Sequence, residues 1–200
     1  MSNLLVMKFG GTSVGSAERM KVAAGLSAAQ RRERPVVIVV SAMSKITDLL
    51  LDTMRHAEAG DRAGMEAGVR ALQIRHAEAC RELLPSGRQD AVLAEIHSLI
   101  GEFQRITNGM LMLGERPPRS VDEAVATGER LSALLIAAYL ESEGTRAAAM
   151  NAAQIIVTDA MFGNATPLME PTREKAREFV ASHLLAGRPV DRLILEGGKA

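Results

Sequence analysis

The sequence has 200 residues with 24 basic and 24 acidic side chains, so its formal net charge is zero and it offers no positive field for nucleic acid or anionic lipid. Aromatic residues make up only 2%, which excludes a stacking platform for single-stranded nucleic acid, whereas 47% hydrophobic residues argue against disorder. The single cysteine, Cys80, excludes a disulfide framework and a cysteine-based zinc site.

The longest apolar runs predict no membrane partner. Residues 36–40 and 131–140 are shorter than the roughly 20 residues that a membrane-spanning helix needs. The first residues also lack the basic segment and long apolar stretch of a secretory signal. Together with the single cysteine, these features predict a cytoplasmic protein in a reducing compartment.

The chain opens with two β–loop–α units. Residues 4–9 form an apolar run that ends in two glycines, which predicts a buried strand and a tight turn, and residues 16–31 fit a helix with Ser16 as its N-cap. Residues 36–40 are nearly all β-branched, a pattern typical of a strand covered on both faces, and residues 44–59 fit a second helix. This order predicts the α/β class, with a parallel sheet joined by crossover helices.

Residues 61–113 have helical periodicity and are interrupted only at residues 85–87, which predicts a helical hairpin inserted between sheet elements. His56, His76 and His97 lie in or near this region. No two of them are four residues apart, and none has an acidic neighbour in a metal-binding pattern. We therefore expect these histidines to be structural or solvated.

The last third of the sequence mixes both element types. Gly144 is suited to the position just after a helix, because that position favours a left-handed residue. The predicted elements are a loop at 115–120, one helix at 121–143, strands at 146–150 and 155–158, a turn at 162–165, a helix at 171–186 and a strand at 190–195.

The segment Lys-Phe-Gly-Gly-Thr-Ser-Val-Gly at residues 8–15 carries the clearest chemical signal. It lies at the carboxyl end of a predicted strand, where α/β sheets bind ligands. Gly10 and Gly11 let the backbone approach a phosphate, the next helix N-terminus favours an anion, and Lys8 supplies positive charge. The segment is neither a P-loop, in which Lys follows the glycines, nor a Rossmann fingerprint. A strand and turn without any ligand is the alternative interpretation.

Four segments, in order along the chain, resemble the aspartate kinases of the amino acid kinase family. They are residues 8–15, Val-Val-Ser-Ala-Met-Ser-Lys-Ile-Thr-Asp at 39–48, Asp-Glu-Ala-Val-Ala-Thr-Gly-Glu-Arg-Leu-Ser at 122–132, and Thr158-Asp159 with Phe-Gly-Asn-Ala at 162–165. The resemblance implies a three-layer α/β sandwich with a mostly parallel sheet. Residues 1–200 would form its N-terminal, substrate-binding portion, with a helical insertion at about 61–113.

The resemblance also implies a nucleotide site. Lys8 would be the catalytic residue, and the phosphates of ATP would be bound by Lys8, Gly10, Gly11, Thr12 and Ser13. From the residues alone, the two hydroxyl groups either line the site or cap the following helix. ATP and Mg²⁺ are the implied cofactors, and no side chain is implied as a metal ligand.

For the substrate L-aspartate, the resemblance implies hydrogen bonds from Ser41 and Thr47 and an ion pair between Glu129 and the α-ammonium group. On the residues alone, Glu129 could be a solvated carboxylate in a first helical turn, and the two hydroxyl groups could cap element ends. The implied reaction transfers a phosphoryl group from MgATP to the side-chain carboxylate of aspartate, giving 4-phospho-L-aspartate on the way to lysine, threonine and methionine. Because a carboxylate is already ionised, positioning and charge neutralisation should dominate the catalysis.

The sequence departs from the family in its length. Aspartate kinases are much longer, and from about residue 190 the expected strand is not matched. We expect an N-terminal fragment, a truncated or frameshifted product or a short homologue, and we favour truncation or frameshift. Such a chain should have little kinase activity alone and should form homo-oligomers or associate through an exposed sheet edge. The alternatives are a non-catalytic partner or oligomerisation module of the kinase, or a kinase of the same fold acting on another carboxylate or a carbamate.

Overall fold

The computed structural model describes residues 4–185 of the chain. The chain divides into two compact units, Met1–Ala149 and Met150–Ala200. The strand predicted at 190–195 lies outside the described residues.

The sheet of the first unit consists of two parallel strands, β1 (Leu5–Phe9) and β2 (Val36–Val40), which confirms the α/β class. Helix α1 (Ala17–Arg31) connects them, and the Ser16 side chain accepts a hydrogen bond from the Arg19 amide, as expected of an N-cap. One face of the sheet packs on helices, whereas the other leaves Val6 and Val39 exposed by 59% and 45%. The β-branched composition of β2 predicted a strand covered on both faces. Among the described residues, only one face of β2 is covered, so this prediction is wrong for them.

Five more helices complete the first unit and enclose a core that includes Phe103, Leu72 and Leu131. Helix α2 packs mainly on α3 and α4, and α4 packs on α6. The hairpin predicted within 61–113 corresponds to α3 and α4, joined across the break at Pro85. The five helices are α2 (Ile46–Glu58), α3 (Arg62–Leu83), α4 (Ser86–Leu113), α5 (Pro118–Val125) and α6 (Thr127–Ser142).

The single helix predicted at 121–143 is wrong, because the structure divides it at Ala126 into α5 and α6. Helical periodicity continues across the junction, so the sequence pattern does not show the break. Helix α5 also begins within the predicted loop, since Pro118 occupies the first helical position, where its missing N–H costs nothing. Gly144 follows α6 with a φ of +80°, as predicted.

The second unit has less strand than predicted. Within its described part, Thr158 forms an isolated antiparallel bridge with Pro167, and the predicted strand at 155–158 is otherwise absent. The strand predicted at 146–150 is also absent. Just after residue 150, the Asn151 side chain accepts a hydrogen bond from the Ala153 amide and begins a short 3₁₀ turn.

The turn predicted at 162–165 is present and includes Gly163 at a φ of +83°. At its base, the carboxylate of Asp159 accepts hydrogen bonds from the Met161 and Thr166 amides, and these bonds lower the pKa of Asp159 below its usual range. The last described elements are α7 (Met169–Phe179), which begins two residues before the predicted start, and a π-helical segment at Val180–Leu185.

His76 is fully buried in α3 and makes one hydrogen bond, between Nδ1 and the Leu72 carbonyl, whereas its Nε2 has no partner among the described residues. Burial lowers the pKa of His76 below 6.5, so the folded protein holds the ring neutral. In the unfolded chain, the His76 ring takes up a proton at a higher pH than it does in the folded protein. The free energy of unfolding should therefore fall as the pH drops below about 6.5, with a slope of up to about 1.4 kcal/mol per pH unit.

Urea unfolding at pH 7.5, 6.5 and 5.5 measures this dependence. His76→Leu should flatten the slope below pH 6.5, whereas His97→Gln, at an exposed position of α4, should leave it as in the wild type. An unchanged slope in His76→Leu would show that other groups cause the acid sensitivity.

Candidate functional site

The two loops that follow the strands leave the sheet at the same edge. Phe9 and Val40 are paired in the parallel register, and the Ser41 amide donates to the Phe9 carbonyl at 3.1 Å. The segments 10–15 and 41–45 therefore start side by side at the carboxyl ends of their strands, where ligands bind in α/β folds.

The glycine-rich segment is a compact turn that touches the second loop. The Ser13 amide donates to the Gly10 carbonyl at 2.8 Å, and Thr12 and Ser13 are exposed. A Cβ atom on Gly11 would lie 3.0 Å from the Ala42 carbonyl oxygen, so a larger residue there would push the two loops apart. The close approach explains why this position needs glycine.

Lys8 precedes this turn in β1, and its side chain is exposed on the open face of the sheet. Its partner in the parallel register, Val39, is exposed on the same face. The ammonium group is therefore accessible to an anion, toward which it would act as a point charge.

The carboxylate of Glu129 joins the start of α6 to the second loop. Its Oε1 accepts the Ala42 N–H at 3.2 Å, and the side chain is half-buried in the first helical turn, where the helix dipole favours a negative charge. The next residue, Arg130, forms its ion pair with Glu102 at 2.7 Å and is not a partner of Glu129. Within residues 4–185, Oε2 of Glu129 has no hydrogen-bond partner, so it can accept a ligand cation.

Gly128 makes this contact possible, because it lets α6 approach α2 and the second loop closely. A Cβ atom at this position would lie 2.7 Å from Ala42 Cβ and 3.2 Å from Ile46 Cγ2. Any side chain would displace the loop whose N–H contacts Glu129.

Ser41 and Thr47 lie on either side of the segment 42–45. Ser41 follows β2, and Thr47 is exposed in the first turn of α2. Helix α2 has no side-chain cap, and neither hydroxyl group makes a hydrogen bond within the described part of the chain. Capping, the alternative role considered from the sequence, is therefore not what these hydroxyl groups do in the described residues.

Three further features of the site were not predicted from the sequence. Lys45 is the one non-glycine residue with a positive φ, +66°, in the described part of the chain, a conformation that costs roughly 1–2 kcal/mol. The Arg75 side chain donates from Nη2 to the Ser44 carbonyl at 2.9 Å, and Arg19 donates from Nη1 to the Thr12 carbonyl at 2.7 Å. No sequence pattern marks a side-chain contact with a loop carbonyl, so only the structure could reveal these interactions.

Acidic, histidine and cysteine side chains do not gather into a metal site in the part of the chain that the structure describes: residues 4–185 contain no group of three or more that could hold an ion. In the same residues, no helix is both long and apolar enough to cross a membrane.

Comparison with known proteins places these features in context. The profile of the amino acid kinase family matches residues 3–187. The chloroplastic aspartokinase 1 of Arabidopsis thaliana is 38% identical over 159 residues, covering 77% of this chain and 26% of its own length. The aspartokinase of Chlamydia muridarum is 30% identical over 163 residues, covering 82% of this chain and 33% of its own length. This chain thus spans only about a quarter to a third of these two relatives.

Among solved structures, aspartokinase III of E. coli in complex with lysine and aspartate superimposes with a TM-score of 0.78. The match covers 93% of this chain and 39% of that protein at 24% sequence identity. At this identity the likeness shows a shared fold, and it agrees with the α/β class predicted from the sequence.

Proposed function

The chain belongs to the amino acid kinase family, and we propose that it supplies the aspartate-binding and phosphate-binding residues of an aspartate kinase. The observation that carries the proposal is the hydrogen bond from the Ala42 amide to Glu129, which holds a carboxylate beside the loops that follow β1 and β2. At one sheet edge, the turn after β1 suits the phosphates of a nucleotide. The carboxylate beside it suits the ammonium group of an amino acid that accepts the phosphoryl group.

On the substrate side, Oε2 of Glu129 pairs with the α-ammonium group of L-aspartate. A carboxylate held by a backbone N–H keeps a fixed position, so the ion pair also orients the substrate. Ser41 and Thr47 donate hydrogen bonds to the substrate carboxylates from either side of segment 42–45.

On the nucleotide side, the amides of Gly10, Gly11 and Thr12 and the hydroxyl group of Ser13 face the phosphates of ATP, and Lys8 neutralises charge on the transferred group. Mg²⁺ usually binds through substrate phosphates and water with one or two carboxylates, so a protein cage of three acidic groups is not required. We propose that the ion arrives with ATP.

The chemical step needs no proton transfer. An oxygen of the aspartate side-chain carboxylate forms a bond to the γ-phosphorus, the bond from that phosphorus to the bridging oxygen breaks, and ADP leaves with the electron pair. The protein contributes alignment and positive charge, since both reactants are anions.

Several finer statements belong to the same proposal. The product, 4-phospho-L-aspartate, would enter the synthesis of lysine, threonine and methionine, and the protein would act in the cytoplasm. Homo-oligomers or association through a sheet edge are further proposals, supported by the unpaired outer edges of β1 and β2 in the two-stranded sheet that the described residues form.

Ligand binding tests the proposed function directly. Nuclear magnetic resonance titrations of the chain with L-aspartate should give saturable shifts at the amides of Ala42, Thr47 and Glu129, whereas L-glutamate and carbamoyl phosphate should give weaker ones. Saturation by another carboxylate but not by aspartate would favour a different acceptor, and binding only to an intact aspartate kinase would favour a non-catalytic partner.

Replacing Lys8 with methionine should weaken MgATP binding about tenfold and leave L-aspartate binding nearly unchanged, because it removes one charge from the phosphate side alone. Calorimetric titration with each ligand measures both constants. Lys21→Met, at an exposed position of α1, is the control for loss of a positive charge. Equal weakening by both variants would contradict a specific role for Lys8.

A further inference from the structure

We propose that Arg75 is a positioning residue that holds the loop after β2 in the conformation that binds L-aspartate. The residue lies on α3, in the helical hairpin, and is not among the residues assigned above to either ligand. The inference rests on the proposed function, because it concerns the loop that carries Ser41 and leads to Thr47.

The contact is a hydrogen bond from a charged donor to a backbone acceptor. Arg75 Nη2 lies 2.9 Å from the carbonyl oxygen of Ser44, which is 31 residues away in the sequence. Arg75 is half-buried as a residue, whereas the hydrogen bond itself lies at the surface. A bond of this kind is stronger than one between neutral groups and fixes the direction of the carbonyl.

The direction of that carbonyl matters because it belongs to the peptide that joins Ser44 to Lys45. Lys45 has a φ of +66°, a conformation that a residue with a side chain rarely adopts. The Ile46 amide donates to the Met43 carbonyl at 3.0 Å, and α2 begins there. Arg75 therefore fixes one side of the strained turn that orients the first turn of α2, including Thr47.

The residue that Arg75 binds also lies beside the loop that follows β1. A Cβ atom on Gly15 would lie 3.2 Å from Ser44 Cβ, so Ser44 lies close to the end of the glycine-rich segment while its carbonyl oxygen binds the guanidinium of Arg75. Releasing Ser44 would loosen the segment from Ala42 to Lys45, and with it the Ala42 N–H that contacts Glu129.

Arg19 provides a parallel on the nucleotide side, where its guanidinium binds the Thr12 carbonyl at 2.7 Å. A loop that binds anions must present N–H groups and direct its carbonyl oxygens elsewhere. Each loop thus has one arginine that binds a carbonyl, and the arginine of the second loop comes from the helical hairpin.

The test compares Arg75→Met, which removes the donor, with Arg75→Lys, which keeps a charged donor. The control is Arg70→Met on the same helix, where the arginine pairs with Glu66 at 3.8 Å. In the ligand-free chain, amide hydrogen exchange at Ala42 and Ile46 should become about tenfold faster in Arg75→Met and stay unchanged in the control. The dissociation constant for L-aspartate should rise about tenfold, with partial recovery in Arg75→Lys.

The two readouts separate this inference from the proposed function. If the wild-type chain does not bind L-aspartate but exchange accelerates locally in Arg75→Met, the proposed function fails, while the hold of Arg75 on the loop is supported. Unchanged exchange in Arg75→Met would overturn the inference even if aspartate binds. Faster exchange throughout α3 and α4 would also overturn it, because Arg75 would then stabilise the hairpin as a whole.

Discussion

Replacing Glu129 with glutamine should weaken L-aspartate binding about a hundredfold and change MgATP binding by less than about twofold. The glutamine carbonyl can still accept the Ala42 N–H that Oε1 accepts at 3.2 Å, so the loop keeps its anchor. What is lost is the negative charge that we propose faces the substrate ammonium group. Losing a charge-assisted contact costs roughly 1.5–3 kcal/mol, and a hundredfold change corresponds to about 2.7 kcal/mol.

Glu129→Ala extends this experiment, because alanine removes the acceptor for the Ala42 N–H as well as the charge. Aspartate binding should be weaker than in Glu129→Gln, and amide exchange at Ala42 should increase only in the alanine variant. Glu123→Gln, at an exposed position of α5, is the matched control for loss of one carboxylate. Equal losses of aspartate and MgATP affinity in Glu129→Gln would remove the proposed ion pair.

The glycine-rich segment was predictable because its signals are local. A strand ending in two glycines, a lysine before them and Ser16 before the helix all lie within a few residues, and the structure reproduces the strand, the turn and the cap. Parallel pairing then brings Ser41 beside Gly10 without further information, since both follow neighbouring strands. The proximity of Glu129 to this edge followed from the family resemblance and not from periodicity.

The misassigned elements depend on contacts between segments far apart in the sequence. The division between α5 and α6 occurs where Gly128 must approach Ala42, and helical periodicity does not show this contact. The strands predicted at 146–150 and 155–158 have enough apolar residues, but a strand requires a neighbour to bind its backbone groups. Among the described residues, Thr158 has such a neighbour in Pro167.

The contacts of Arg75 and Arg19 were hidden for a different reason. Arginines spaced along a helix are typical of a solvated face, and nothing in their spacing distinguishes Arg75 from Arg70. Arg75 differs from Arg70 only because α3 packs on α2 and therefore lies near the turn that precedes α2. Hydrogen bonds from side chains to loop carbonyls thus depend on tertiary packing. They stabilise loops whose local sequences predict ligand binding.

Gly128→Val should lower the free energy of unfolding by about 3 kcal/mol, because added atoms in a packed interior force neighbours to move. The first added carbon alone would lie 2.7 Å from Ala42 Cβ, 3.2 Å from Ile46 Cγ2 and 3.3 Å from Leu50 Cδ1. These atoms belong to the loop and to the start of α2, so L-aspartate binding should weaken as well. Urea unfolding followed by circular dichroism measures the stability, and titration measures the binding.

Gly25→Val provides the matched control, since Gly25 is at an exposed position of α1 and no atom lies within 4 Å of the new Cβ. Valine and glycine differ little in helix propensity, so stability should change by less than about 0.5 kcal/mol. If Gly128→Val were as harmless as Gly25→Val, α6 would have to shift away from Ala42 at little cost. The hydrogen bond between Glu129 and the Ala42 N–H would then not be fixed by packing, and the site would depend on the carboxylate contact alone to hold its two halves together.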